Sequence, residues 1–359
     1  MRILRRRELV NNKTTLKQYD LIDLVKYVGS IFIVFIHTLP SGIGMQLGNI
    51  LGRFAVPFFL IVSAYFFKRK LSDMQDVDLQ IQYYSLRIFK LYLFWLVVNL
   101  PCIAYRTLPF FRDSQFSLGK ASFIFIITCL YNAVPGYGVS WYLTASIFSA
   151  WVLGKLAKRF SSIALVGMTF PFFLVSVFSS MYGVVMRRFS SLNMWRSLFP
   201  PANSIFAGLF FFALGMLLFE YRGFWIDGFS TKWILSLAAV SLLGVLLEGN
   251  FAIIRHLPYA PYTTDQYFML VPFAFLLTII CFKVPVKLKH ARSLRRASTV
   301  TYLSQFIFIY GINFVCLHFG IELNQYVLAF LTIIGTFILY LLLDSLEKRY
   351  PFKIFRCAF

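Results

Sequence analysis

Ten apolar stretches, each close to the length of a membrane crossing, follow one another along this chain with only short polar breaks between them. A helical crossing needs about 20 mostly apolar residues, and the stretches fall at 21–40, 54–67, 88–107, 139–157, 162–182, 203–220, 232–248, 267–283, 299–318 and 326–344. A further run, 121–134, has the length of a re-entrant or interfacial segment. Hydrophobic residues make up 59% of the 359 and charged residues 14%, against about 45–50% and about 25% in soluble chains. The loops are too short to hold a folded domain of their own. The reading is an all-α, polytopic membrane helical bundle. A single domain covers residues 1–359: a polar N-terminal segment, ten spans and a short basic tail.

The basic residues choose between ten and eleven spans. With residues 1–20 cytoplasmic and ten crossings, 26 Lys/Arg lie in inside loops and eight outside: Arg53, Arg106, Arg112, Lys120, Arg187, Arg188, Arg196 and Arg255. If 121–134 also crossed, 15 basic residues would move outside and only four inside, against the positive-inside rule. Ten spans with both termini cytoplasmic is the expectation. The first 20 residues carry both signs of charge and no short apolar core with a cleavage site, so they do not read as a removable signal.

The net charge of +21 is thereby assigned to helix orientation and to contact with membrane lipid rather than to nucleic acid. The five cysteines form no CxxC pair and have no His at ligand spacing, so they read as packing residues and no metal site is expected.

Ionisable residues inside a span are costly and point to function. In the first span Lys26 and His37 are 11 residues apart. That is three turns plus about 20°, and about 16 Å along the axis, so they share a face. Asp23 and Ser30 fall on the same face and complete a polar line. Two readings stand open. Asp23 and Lys26 can form an interfacial ion pair, with Lys26 snorkelling to the headgroups. Alternatively the line is a route through the bundle ending at His37, whose neutral imidazole can take a proton from a hydroxyl near neutral pH. The second span opens with Arg53 at the level of His37, contains Pro57, Ser63 and Tyr65, and stops at Lys68-Arg69-Lys70. Arg53 is either an end-anchor or a site residue.

At these residues the sequence resembles acyltransferase family 3 of integral membrane proteins. Lys26 and His37 match the family's basic-x10-His pattern. Arg53, Val56, Pro57, Phe58, Phe59, Ser63 and Tyr65 match its second-span pattern, Trp141-Tyr142-Leu143 a later motif, and Gly215-Met216 a small-residue span. Ala64 stands where the family usually has Gly. Gln305 stands where a second His often follows Tyr302.

The resemblance implies transfer of an acyl group, commonly acetyl, from acyl-CoA to a hydroxyl of a cell-surface polysaccharide or its lipid-linked precursor, in a bacterial cell membrane. No tightly bound cofactor is implied. On this view His37 is the general base, Lys26 marks the entry of the donor from the cytoplasm, and Arg53 offers N–H groups to the developing oxyanion. Asp23 and Ser30 join Lys26 and Arg53 as substrate-binding candidates. No acid is assigned to orient His37. Glu248, Asp265 and Glu322 share its level, with Glu248 and Glu322 the ones that could approach. The loop 183–202, with Arg187, Arg188 and Arg196, faces either an anionic glycan or lipid headgroups. The alternatives are an exporter of an envelope precursor that uses the polar line as its pathway, and a non-catalytic scaffold.

Overall fold

The computed structural model describes residues 19–73, 76–113, 117–187, 202–258, 264–350 and 355–359. Among them it is helical, with no strand. The main helices are α1 (Asp20–Thr38), α2 (Ala55–Asp73), α3 (Val77–Val98), α4 (Leu100–Asp113), α5 (Leu118–Tyr131) and α6 (Trp141–Leu156), followed by α7 (Ser162–Phe178), α8 (Ile205–Glu220), α9 (Thr231–Ile254), α10 (Leu270–Lys283), α11 (Ala291–His318) and α12 (Gln325–Arg349). Five helical stretches are long and apolar enough to cross a membrane: α1, residues 42–73, α9, α11 and α12. A sixth is added if the bent pair α3–α4 counts as one. The shorter apolar helices α5, α7, α8 and α10 have 14 to 17 residues. At 14 residues a helix rises only about 21 Å, less than the roughly 30 Å of a hydrocarbon core. Every apolar run of the sequence falls on helix, and polar or glycine-containing turns cut several of those helices shorter than the run itself.

The third run, 88–107, is not one straight helix. α3 starts earlier, at Asp76, whose carboxylate accepts the Leu79 N–H at 3.1 Å. The axis then turns by 72° between α3 and α4. Pro101 has no N–H to continue the α3 ladder and restricts Leu100 before it. The Asn99 side chain covers the break by donating to the Trp95 and Leu303 carbonyls at 2.8 and 3.1 Å, which ties the bend to α11. The separate run 121–134 is the 14-residue helix α5, with Leu118, Phe123, Ile126 and Leu130 exposed.

At the centre lies α8. It is apolar all round and buried on nearly every face, as expected of a helix surrounded by others. It packs on α2, α6 and α7. The contact with α2 is a backbone contact, because a Cβ on Gly215 would lie 2.2 Å from the Ile61 carbonyl oxygen and 2.6 Å from Ala64 Cβ. The small side chain of Ala64 thus fits here only because Gly215 faces it. Gly215→Ala is expected to lower the thermal midpoint of the detergent-solubilised protein, by about 1–3 kcal/mol of stability. Gly311→Ala, with nothing within 4 Å of the added atom, is the control. Equal midpoints in a fluorescence size-exclusion thermostability assay would refute the backbone contact.

Candidate active site

The polar face of α1 meets two separate cavities. The larger, of about 800 Å³, is walled by α1, α2, α3 and α11. Six cations line it, Lys26, Arg69, Lys70, Arg87, Arg292 and Arg295, against two acids, Asp23 and Asp73. Asp23 is buried and is held by Arg295, whose Nε and Nη2 donate to its two carboxylate oxygens at 2.8 Å each. Two parallel charge-assisted bonds make a strong, orienting pair. The Asp23–Lys26 ion pair considered from the sequence does not form, because Arg295 on α11 takes the carboxylate. The Lys26 ammonium has no ion pair among the described residues and borders the cavity. With Asp23 neutralising one arginine, the remaining field is positive and suits an anionic ligand. Ser30 lines neither cavity. It is fully buried, and its hydroxyl donates to the Tyr27 carbonyl at 2.7 Å.

The smaller cavity, of about 50 Å³, lies at the other end of α1. His37, Arg53, Asp265, Trp141 and Tyr302 border it. His37 is in the last turn of α1, exposed, with its ring 4.8 Å from that of Phe306. Arg53 is placed by an irregular approach to α2. A π-helical turn, Gln46–Ile50, runs into a 3-10 turn, Leu51–Phe54. π-turns recur at functional sites, and here two glycines permit one. A Cβ on Gly48 would lie 2.7 Å from the Phe35 carbonyl carbon, and one on Gly52 3.0 Å from the Phe32 oxygen. The Tyr267 hydroxyl donates to the Ile50 carbonyl at 2.6 Å, at the junction of the two turns. The result sets Arg53 beside the cavity of His37.

Two of the three nitrogens of Arg53 are engaged. Its Nη1 pairs with Asp265, and its Nη2 donates to Asn49 Oδ1 at 3.0 Å. Asp265 is therefore the acid at this level, while the two acids favoured from the sequence are elsewhere. Glu248 accepts the Phe268 and Met269 N–H groups at 3.0 and 2.7 Å and the Tyr182 hydroxyl at 2.7 Å, so it caps the entry to α10. Glu322 is exposed. Asp265 shares the level of His37 by sequence but is not singled out there, because it lies in a loop outside every apolar run. The one signal available was its rarity, as one of 14 acids in the chain.

An aromatic layer stands between the cavities. Tyr302, at the smaller one, has its ring 5.7 Å from that of Tyr142 and 5.8 Å from that of Phe59. The Tyr142 hydroxyl is 3.1 Å from that of Ser63, which borders the larger cavity. The Trp-Tyr-Leu motif is thus divided: Trp141 faces the small cavity, Tyr142 joins the layer, and Leu143 is in the core. Gln305 is buried, and its amide donates to the Tyr302 carbonyl of its own helix at 2.8 Å. His256, His290 and His318 border neither cavity. Arg188 and Arg196 lie outside the described residues, as do Arg2, Arg5, Arg6 and Arg7.

A family model described as "Acyltransferase domain" matches residues 19–343. No curated protein and no solved structure matches the chain. Every residue named around both cavities lies within the matched region. Arg295→Gln would leave the buried Asp23 carboxylate without its charge partner; the Arg295 side chain is itself 58% exposed, so solvent screens the pair and the loss is about 1–3 kcal/mol. The expected outcome is a lowered thermal midpoint in detergent that Asp23→Asn partly restores. Additive loss in the double variant would sink the pairing.

Proposed function

Because the chain belongs to this acyltransferase family, across nearly its whole length, we propose that it is a membrane O-acyltransferase that moves an acyl group, acetyl in the first instance, from acyl-CoA to a hydroxyl of a cell-surface polysaccharide or its lipid-linked precursor. One observation carries the reading: a large basic cavity and a small cavity with a histidine at opposite ends of one polar helix face. The same reading takes the ten apolar runs as ten crossings of a bacterial cell membrane. The basic cavity then opens to the cytoplasm and the His37 cavity lies toward the outer face.

The basic cavity suits the phosphates of coenzyme A, with Lys26, Arg69, Lys70, Arg87 and Arg292 as their partners. Asp23 contributes by holding Arg295. Ser30 shapes α1 rather than touching substrate, since its hydroxyl is already used. The pantetheine arm would extend along α1 toward the aromatic layer. At the small cavity His37 accepts the proton of the acceptor hydroxyl while that oxygen attacks the thioester carbonyl. The new C–O bond forms, the C–S bond breaks, and the departing thiolate takes the proton from the imidazolium. Arg53 stands where charge develops on the carbonyl oxygen. Nothing in the comparisons favours the exporter.

His37→Ala is expected to insert normally and to transfer no label from acetyl-CoA to surface glycan, read by mass spectrometry of glycans from cells with and without a working copy. Unchanged acetylation by a well-folded variant would overturn the mechanism. Lys26→Ala should raise the KM for acetyl-CoA about tenfold, equivalent to losing about 1.4 kcal/mol of binding, with kcat little changed. An unchanged KM would remove Lys26 from the donor site.

A further inference from the structure

The guanidinium of Arg53 has three nitrogens, and each has a different fate. Nη1 is held by Asp265 and Nη2 by Asn49. Nε is buried, with no partner among the described residues. Nη1 and Nη2 each keep a second N–H beyond the bond that holds them. Arg53 borders the cavity that His37 shares, and so does Asp265. An arginine presents its five N–H groups in one rigid plane, so fixing two nitrogens fixes the direction of every remaining N–H.

The fixing groups are themselves anchored. Asp265 is 5% exposed and lies between two other buried residues, Thr264 and Gln266. The Gln266 N–H donates to Ser180 Oγ at 3.0 Å. Tyr267 holds the Ile50 carbonyl, three residues before Arg53. Asn49 belongs to the π-turn, one turn before Arg53 on the same stretch of chain. Among the described residues His37 makes no hydrogen bond to Asp265 or to any other group, so Asp265 does not act by orienting the imidazole. Among the described residues the one polar contact of its side chain is Arg53.

We infer that Asp265 and Asn49 are positioning residues, which together clamp Arg53 so that its guanidinium is held in one plane at the cavity and presents an N–H to the reacting carbonyl oxygen beside His37. The inference rests on the acyl-transfer reading and adds to it the group that does the presenting and the two that aim it. Asp265 and Asn49 never touch substrate. Their contribution is to remove the reorganisation that a mobile arginine would need as charge develops.

The test is a double-mutant cycle in membrane vesicles from the producing cell, which carry the native acceptor, with labelled acetyl-CoA as donor. Asp265→Asn should lower kcat about 100-fold, the scale of losing one oxyanion donor, with the KM for acetyl-CoA unchanged. In an Arg53→Gln background the same change should alter kcat by less than about twofold, because its target is gone. Asn49→Ala should lower kcat about tenfold and be silent in that background as well. If Asp265→Asn does not fold, shown by size-exclusion chromatography, Asn49→Ala decides alone. A merely structural role predicts losses that multiply in the Arg53→Gln background, and that result overturns the clamp. So does wild-type kcat in Asp265→Asn. If the wild-type vesicles acetylate while the cycle multiplies, only the clamp fails. If wild-type vesicles transfer nothing from acetyl-CoA, the acyl-transfer reading fails and the clamp with it.

Discussion

The close approach of backbone to backbone between α1 and the irregular turns before α2 is the constraint on which the site depends. A regular α-helix running straight into α2 would carry a ladder that needs no outside partner. The π and 3-10 turns instead release carbonyls, and the Ile50 oxygen is taken by Tyr267. Without water in a bilayer, irregular backbone survives only where protein supplies such partners or a cavity is lined. Here both conditions hold. Gly48 and Gly52 let the turns lie against Phe32 and Phe35 of α1, and that contact brings Arg53 to the end of α1 where His37 stands.

Two buried carboxylates then divide the charge of the site. Asp23 holds Arg295 at the basic cavity, and Asp265 holds Arg53 at the histidine cavity. A buried ion pair is weak evidence of stabilisation, since desolvation offsets most of its attraction. Each pair is better explained by what it arranges. The first leaves Lys26 without a carboxylate and the cavity net positive. The second fixes the guanidinium plane of Arg53 at the cavity of His37. In both, the acid comes from a segment distant in sequence from its arginine.

That distance in sequence marks what could be read beforehand. Helical periodicity alone puts Lys26 and His37 on one face, because both lie on one helix and 11 residues is nearly three whole turns. Loop charges likewise single out 121–134 as a shorter element, and it forms the 14-residue α5. The bend at Asn99 was concealed by an apolar run that continues through Pro101, since hydropathy does not register a lost backbone donor. Pairings between segments were concealed as well. Local spacing favours Asp23 with Lys26, and only the packing of α11 on α1 brings Arg295 within reach. Asp265 belongs to no periodic element, so no pattern could place it beside Arg53.

On the acyl-transfer reading proposed above, the aromatic layer of Phe59, Tyr142 and Tyr302 separates two cavities with different tasks. A space of about 50 Å³ holds little more than a few atoms, so the nucleotide end of a donor cannot sit beside His37. Binding energy gathered at the basic cavity is therefore gathered far from the reacting bond, about 16 Å along α1. Remote binding of that kind accelerates chemistry only when it is used to bring the reacting group into place. On the proposed reading the layer stands between the donor site and His37, since Tyr302 borders one cavity and Ser63, in contact with Tyr142, the other. The Ser63–Tyr142 contact at 3.1 Å lies on the donor side of the layer, so an entering acyl group meets those hydroxyls first. On the proposed reading, then, the cations on four helices serve the anionic end of the donor, and the three rings stand between that end and His37.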